Sequence, residues 1–168
     1  MTMDRQPVLK SELVVVRPLT RGDFDDLYSI ASDARIWEQH PSKDRTDRHV
    51  FQVWYDEALA SKGALVAEDA VTHDVIGTSR FVARSENVVE IGWTFLAHDR
   101  WGGMWNREIK RLMLSHAFDD VPEVIFTIHS DNLRSQRAVE RLGAEHVGTE
   151  PDCHGRGQNR VYRLSRAR

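Results

Sequence analysis

The chain switches between two hydrophobic periods, and each switch marks an element. Glu12 to Arg17 is a β-branched run closed by Pro18, which reads as a strand. Thr20, three residues before Asp23, has the spacing of a capping box and opens a helix over about Gly22 to Ser32. A second helical stretch, Thr46 to Ala60, places Phe51, Trp54, Tyr55, Ala58 and Leu59 on one face and stops at Gly63. Three apolar segments follow, Ala64 to Ala67, Val75 to Val82 and Val88 to Leu96, separated by turn-like or charged residues as in an antiparallel meander.

Arg107 to Phe118 repeats Ile109, Leu112, Met113, His116 and Ala117 at helical spacing and assigns Arg107, Lys110 and Arg111 to the surface. Val124 to Ile128 is apolar on both faces, as expected of a strand in the middle of a sheet. Asn132 to Leu142 is helical again, with Ser135, Ala138, Val139 and Leu142 on its stripe and Gly143 as a left-handed cap. Strands at Glu145 to Thr149 and Arg160 to Leu164 end the chain. The order β, α, α, β, β, β, α, β, α, β, β predicts a mixed α/β sheet with one β–α–β unit near its middle. No repeat, low-complexity tract or Gly/Pro/Ser linker divides it, so residues 1–168 read as a single domain.

Composition then narrows the partners. Twenty-three basic against 26 acidic residues leave a net charge of −3, which gives no general attraction to nucleic acid or anionic lipid. No apolar run approaches the ~20 residues that span a bilayer, and the N-terminus has no apolar signal core, so a cytoplasmic protein with no membrane partner is expected. The lone Cys153 has no internal disulfide partner and no positioned base to make it a nucleophile. None of the eight histidines has another at i+3 or i+4, so no metal is expected.

Three features could carry chemistry. In Glu90 to Asn106 a strand runs into a loop holding Gly102 and Gly103, which opens directly into a basic helix. Such a loop lets backbone approach a ligand, and the N–H groups of a helix's first turn bind phosphate oxygens, although a plain turn also needs glycines. Glu90 lies mid-strand between Val89 and Ile91, on the face assigned to Val88, Gly92 and Thr94. A desolvated carboxylate there has a raised pKa suited to a general base, while a solvent-facing Glu is the ordinary alternative. Ser135 points inward from its helix, where it either meets a ligand or bonds a carbonyl one turn back, and Asn132 stands where a helix N-cap belongs.

Together these pieces resemble the GNAT superfamily of acyl-CoA-dependent N-acyltransferases, and in particular the branch that includes the ribosomal-protein N-terminal acetyltransferases. The resemblance covers nearly the whole chain. Leu13 to Asp23 (LVVVRPLTRGD) is similar to that branch's opening L-x-x-R-P-L and Asp, Glu90 to Trp93 to its E-I-G-aromatic strand, and Asn132 to Gly143 (NLRSQRAVERLG) to its late N-x-x-S before a K/R-x-G turn. A helix ending in Ala117 and Phe118 lies between the last two. The family's pyrophosphate loop, Q/R-x-x-G-x-G/A, is half present. Without a gap, Arg100, Gly103 and Trp105 take its defining places; with one extra residue, Trp101, Met104 and Asn106 do. A W-G-x-x-x-N variant, with Gly102 and Asn106, resembles what some members of the branch carry. The tyrosine that many members use to protonate the leaving thiolate falls at Val139, and Ser135 is its natural substitute.

The resemblance implies a mostly antiparallel mixed sheet whose central strands, Val88 to Leu96 and Val124 to Ile128, splay apart, flanked by helices. It implies acetyl-CoA as acyl donor, with pantetheine in the gap against Trp93, Thr94 and Phe95 and with Asn132 on the pantetheine arm. Gly102, Gly103, Met104, Trp105, Asn106 and Arg107, with Arg100 beside them, would hold the pyrophosphate, while Trp101 and Trp105 would either cover the cofactor or pack the loop. Glu90 would act as base and Ser135 on the thiolate, and the acceptor would be a primary amine on a small molecule or a protein N-terminus. Asp25, Asp26, Asp33, Glu38 and Asp44 could give the first helix and its loop an acidic face toward a cationic acceptor, or be ordinary solvated residues. Homodimers are common among such proteins, so a homodimer is open. Two other functions fit less of the sequence: a CoA-binding module without catalysis, and an interaction domain whose Arg-rich C-terminal strip, His154 to Arg168, docks on RNA or a ribosomal protein.

Overall fold

The computed structural model describes residues 3–152 and 155–166; Cys153 and His154 lie outside the described residues. One eight-stranded sheet organises the molecule. The strands are β1 (Leu9–Lys10), β2 (Val14–Pro18), β3 (Ala64–Asp69), β4 (Val75–Ala83), β5 (Val88–Leu96), β6 (Glu123–His129), β7 (Glu145–Pro151) and β8 (Gln158–Ser165). Their spatial order is β1-β2-β3-β4-β5-β6-β8-β7. Every neighbouring pair is antiparallel except β5 and β6, which are parallel. A parallel pair needs a crossover, and α3 (Trp105–Asp120) supplies it.

Four helices cover the sheet: α1 (Phe24–Ala31), α2 (Arg48–Ala60), α3 and α4 (Leu133–Glu140). None of them is long and apolar enough to cross a membrane. The helices divide the core in two. Ile109, Met113 and Ala117 of α3 and Val139 of α4 pack with Phe81, Ile91, Val124 and Phe126 on one face of the sheet. Leu27 of α1 and Phe51, Trp54 and Tyr55 of α2 pack with Ala64, Val66 and Phe95 on the other.

The predicted helices and strands are all present, with shifted ends. α3 starts at Trp105, two residues earlier than expected, and so shortens the glycine loop. β6 is interior, with Val124, Phe126 and Ile128 buried, but Ile125 and Thr127 are only half-buried, and Thr127 borders a cleft. The edge strand β1 and two 3-10 turns, Ala34–Trp37 and Lys43–Thr46, had no periodic signal. Asp23 accepts from the backbone N–H and hydroxyl of Thr20, as its spacing predicted, and is also gripped by both terminal nitrogens of Arg17.

Two features of β5 open the sheet. It pairs with β6 at only three positions, Val88 with Glu123, Val89 with Val124 and Glu90 with Ile125, and the strands then part. Against β4, Thr78 faces Phe95 and Arg80 faces Gly92, so β5 carries one extra residue there, a β-bulge. Trp93 sits in that bulge with φ 52°, a left-handed conformation costly for a bulky residue. The extra residue also resets the side-chain alternation. Thr94 therefore does not share Glu90's face, contrary to the sequence pattern, and its hydroxyl bonds Ser79 on the α3 side.

Candidate active site

The parted strands border a cleft of about 940 Å³. Its lining joins residues from both sheet faces: Asn132, Ser135 and Val139 of α4 and Asn106 and Lys110 of α3 on one side, Trp37 and Arg45 from the turns before α2 on the other. A passage between splayed strands lets two reactants meet from opposite faces.

Glu90 lies where β5 and β6 separate, with only 3% of its surface exposed. Burial pushes its carboxyl above the ordinary value, partly offset by the Arg84 guanidinium and the Thr127 side chain. Arg84 donates to Glu90 Oε2 at 3.0 Å and to Glu150 Oε2 at 2.8 Å, which fixes the carboxylate's orientation. The other oxygen, Oε1, faces the space left by Gly92, where an added Cβ would come within 3.4 Å of it.

At the far end of β5 the chain turns through His98–Arg100 and the loop at Trp101–Met104 into α3. Gly102 has φ 71° and open space around it, and no side chain caps the N-terminus of α3. The first N–H groups of this 16-residue helix thus lack the partners a helix start needs, a ready anion site. Gly102, Gly103, Asn106 and Arg107 line the cleft, as do Trp93, Thr94, Phe95, Arg100 and Trp101. Met104 and Trp105 do not: Met104 is 69% exposed, and the Trp105 ring packs under the Arg100 guanidinium at 4.5 Å. Arg100 is itself paired with buried Asp69 at 3.2 Å, so its charge is partly spoken for.

On α4, Asn132 accepts the Ser135 N–H at 3.2 Å, the N-cap role its position predicted, while it also borders the cleft. Ser135 faces the cleft beside Val139, where a tyrosine is absent. Of the five acids considered for an acidic face, three are engaged: Asp25 pairs with Arg48, Asp33 with Arg35, and Asp44 lies 3.6 Å from Arg156.

Sequence reasoning missed several cleft residues. Arg134 stacks on the Trp101 ring at 3.7 Å and donates to the Ile36 carbonyl, tying α4 to the turn that borders the cleft. Lys110, expected at the surface, is 4% exposed because the β5 bulge brings Thr94 over α3. Its amine donates to the hydroxyls of Thr94 (2.5 Å) and Ser79 (3.2 Å), no carboxylate pairs with it among the described residues, and burial pushes its pKa down to about 7. A charge in a face pattern reads as solvated, and only the bulge reveals otherwise.

Lys110 makes stability pH-dependent in a defined direction. Between about pH 7 and the ordinary lysine value near 10.4 the unfolded chain binds a proton that the native one lacks, so stability rises with pH across that window. Thermal unfolding of the wild type is expected to shift up on the order of 5 °C from about pH 7.5 to about 9.5. Lys110→Met should flatten that slope; an equal slope in both proteins would show that Lys110 is charged and solvated.

The comparisons agree with this geometry. Residues 14–145 match the family model described as an acetyltransferase (GNAT) domain. A GCN5-related N-acetyltransferase from Brucella melitensis superposes with a TM-score of 0.82 at 20% identity, over 95% of this chain and 79% of that one. Mycobacterium smegmatis RimJ, solved with CoA-disulfide, gives 0.71 at 16% identity, covering 98% and 84%. Spermidine N-acetyltransferase from Vibrio cholerae, solved with CoA and spermine, gives 0.71 at 16%, covering 92% and 96%. At these identities the structures speak for the fold, and the family model for the membership: the chain belongs to the GNAT family of acetyltransferases.

Proposed function

We propose that this enzyme moves an acetyl group from acetyl-CoA to a primary amine by direct attack in a ternary complex. The observation that carries the reading is the parting of β5 and β6 after Glu90 and Ile125, which leaves strand edge, buried carboxylate, Ser135 and an uncapped helix start around one cleft. These residues fit the cofactor. The backbone of Trp93 to Phe95 faces a gap where a β-neighbour is missing and would bond the pantetheine amides. Asn132 would bond the same arm, and Gly102, Gly103, Asn106 and Arg107 would hold the pyrophosphate at the α3 N-terminus. The Met104 and Trp105 side chains do not line the cleft, so their part in this scheme is limited to the backbone N–H groups at the start of α3.

Acetyl-CoA, when bound, supplies a thioester carbon open to attack. Glu90 Oε1 takes the proton of the attacking amine, directly or through one water, and the raised carboxyl pKa suits it to that task near neutral pH. A free N–H on the splayed stretch of β5 stabilises the charge that builds on the acyl oxygen. Ser135 Oγ donates to the departing sulfur as the C–S bond breaks, and the amine proton removed by Glu90 balances the one the thiolate gains. Holding two reactants from opposite faces in one cleft supplies much of the acceleration.

Initial velocities measured while both substrates vary test the direct attack. Intersecting double-reciprocal lines, with no acetylated protein in the mass spectrum after acetyl-CoA alone, are expected. Parallel lines together with a covalent acetyl-enzyme would overturn it.

A further inference from the structure

The acceptor side of the cleft has an electrostatic character that the reading above leaves unassigned. Arg80 of β4 is 7% exposed, and its Nε and Nη2 are buried with no hydrogen-bond partner. Its guanidinium lies between two indoles, 4.9 Å from Trp93 and 5.8 Å from Trp54. Trp54 Nε1 is buried and unpartnered as well. All three orphans are donors. Leaving charged donors dry and unpaired is costly, and a native structure that does so calls for an acceptor.

The surroundings supply more positive charge. Arg45 borders the cleft and stacks on Trp37 at 5.2 Å and Trp54 at 5.5 Å, and no hydrogen bond or ion pair holds it among the described residues. Arg156 donates to Ser42 at 2.6 Å on the same wall. Burial lowers both Arg45 and Arg80 to about 10, and the neighbouring arginines add to the shift at Arg45. Burial, helped by the Arg45 and Arg156 charges, pushes His40 down to about 3 and keeps it neutral. The acids nearby are Asp44, which leans on Arg156, Asp152, which accepts the Arg156 N–H, and Glu57; none comes within ion-pair distance of Arg45 or Arg80 among the described residues. In a chain of net charge −3 this is a concentrated positive site.

Its place relative to Glu90 fixes its use. Arg80 stands opposite Gly92 and Val82 opposite Glu90, so Arg80 and Glu90 share a sheet face one diagonal step apart, with the Gly92 gap between them. That face carries α1 and α2, whereas the α3 N-terminus and α4 lie across the sheet. Of these groups Arg45 lines the cleft itself, while Arg80 and Trp54 lie behind its wall on that face, the Arg80 guanidinium 4.9 Å from the cleft-lining Trp93 ring.

We infer that the acceptor is an amine that also carries a carboxylate a few atoms from the reacting nitrogen, held by Arg80 and Arg45 with the Trp54 N–H while Glu90 receives the amine. This deepens the acetyltransferase reading and rests on it. The carboxylate belongs either to a free amino acid or to an acidic residue next to a peptide N-terminus, chemistry that the same donors satisfy. Bidentate pairing with guanidinium suits it, and a polyamine meets like charge.

Calorimetric titration of the CoA-saturated protein, which cannot turn over, separates binding from catalysis. The probes are free amino acids, their carboxamides, diamines, and N-terminal peptides with acidic or neutral second residues. Carboxylate-bearing amines are expected to bind about 10- to 100-fold more tightly than their carboxamides, the loss of one or two charge-assisted bonds. Arg80→Met and Arg45→Met should each erase that preference and leave CoA affinity unchanged, and Arg45→Met serves if Arg80→Met does not fold. The peptide arm tells the two sources apart. Carboxamides or diamines binding as well as carboxylates, or variants that keep the preference, would overturn the inference and leave the orphan donors to water. Thiol release from acetyl-CoA with the same amines reports separately on the transferase reading.

Discussion

Glu90→Gln is expected to lower kcat by about 10²- to 10⁴-fold while acetyl-CoA affinity stays within about twofold. The substitution keeps the shape and the Arg84 contact region but removes the proton acceptor at the point where β5 and β6 part. The pH profile sharpens the test. Glu90 must be ionised to act, so activity falls as pH drops through its pKa, and burial places that fall above the ordinary carboxylate range. The wild type should show this limb and the variant should lack it. A variant with full kcat, or an unchanged limb, would assign the base elsewhere. Glu90→Gln also relieves a buried charge facing Arg84, so its thermal stability is expected to change little, which keeps the kinetic result interpretable.

Gly102→Pro is expected to raise KM for acetyl-CoA by at least about 30-fold, since two charge-assisted bonds from the loop and helix start are lost. Gly102 has φ 71°, and proline is locked near −65°, so the loop must take another path into α3. Trp101, at φ −78° and ψ 157°, already has the backbone that precedes a proline comfortably. The disturbance is therefore confined to the loop. Nothing lies within 4 Å of a Cβ at Gly102, so the ring meets no neighbour, but the forced change of φ costs stability and a thermal midpoint lowered by a few degrees is expected. An unaffected KM would move the pyrophosphate away from this loop.

How much was legible before the structure depends on where each signal is written. The stripe Ile109, Met113 and Ala117 and the glycines ahead of it lie within one element and its cap, so the crossover helix and its open N-terminus were readable from period and composition. Glu90 was readable because a lone acid in an apolar strand needs a reason. The bulge at Trp93 was not, because it arises from the register between β4 and β5, and neither strand's own pattern records it. Two assignments were misplaced with it: Thr94 went to the wrong face and Lys110 to the solvent. Arg80 and Arg45 carry no local signal either. Their meaning appears only when Trp54 of α2 is laid across β4, a contact between residues distant in sequence. In the glycine loop the earlier start of α3 turns the Met104 side chain outward and lays the Trp105 ring on Arg100, a placement that depends on where the helix begins and that the loop's composition does not record.

The central claim is that the split between β5 and β6 is a working acetyl-transfer site. Calorimetric titration with acetyl-CoA, followed in the same samples by thiol release over primary amines and N-terminal peptides, tests it most directly. The account predicts one site per chain and thiol release that depends on the amine and disappears in Glu90→Gln. Tight binding with no release from any amine would make the chain a CoA-binding module, and no binding at all would contradict the assignment of the cleft and of the loop at Trp101–Met104.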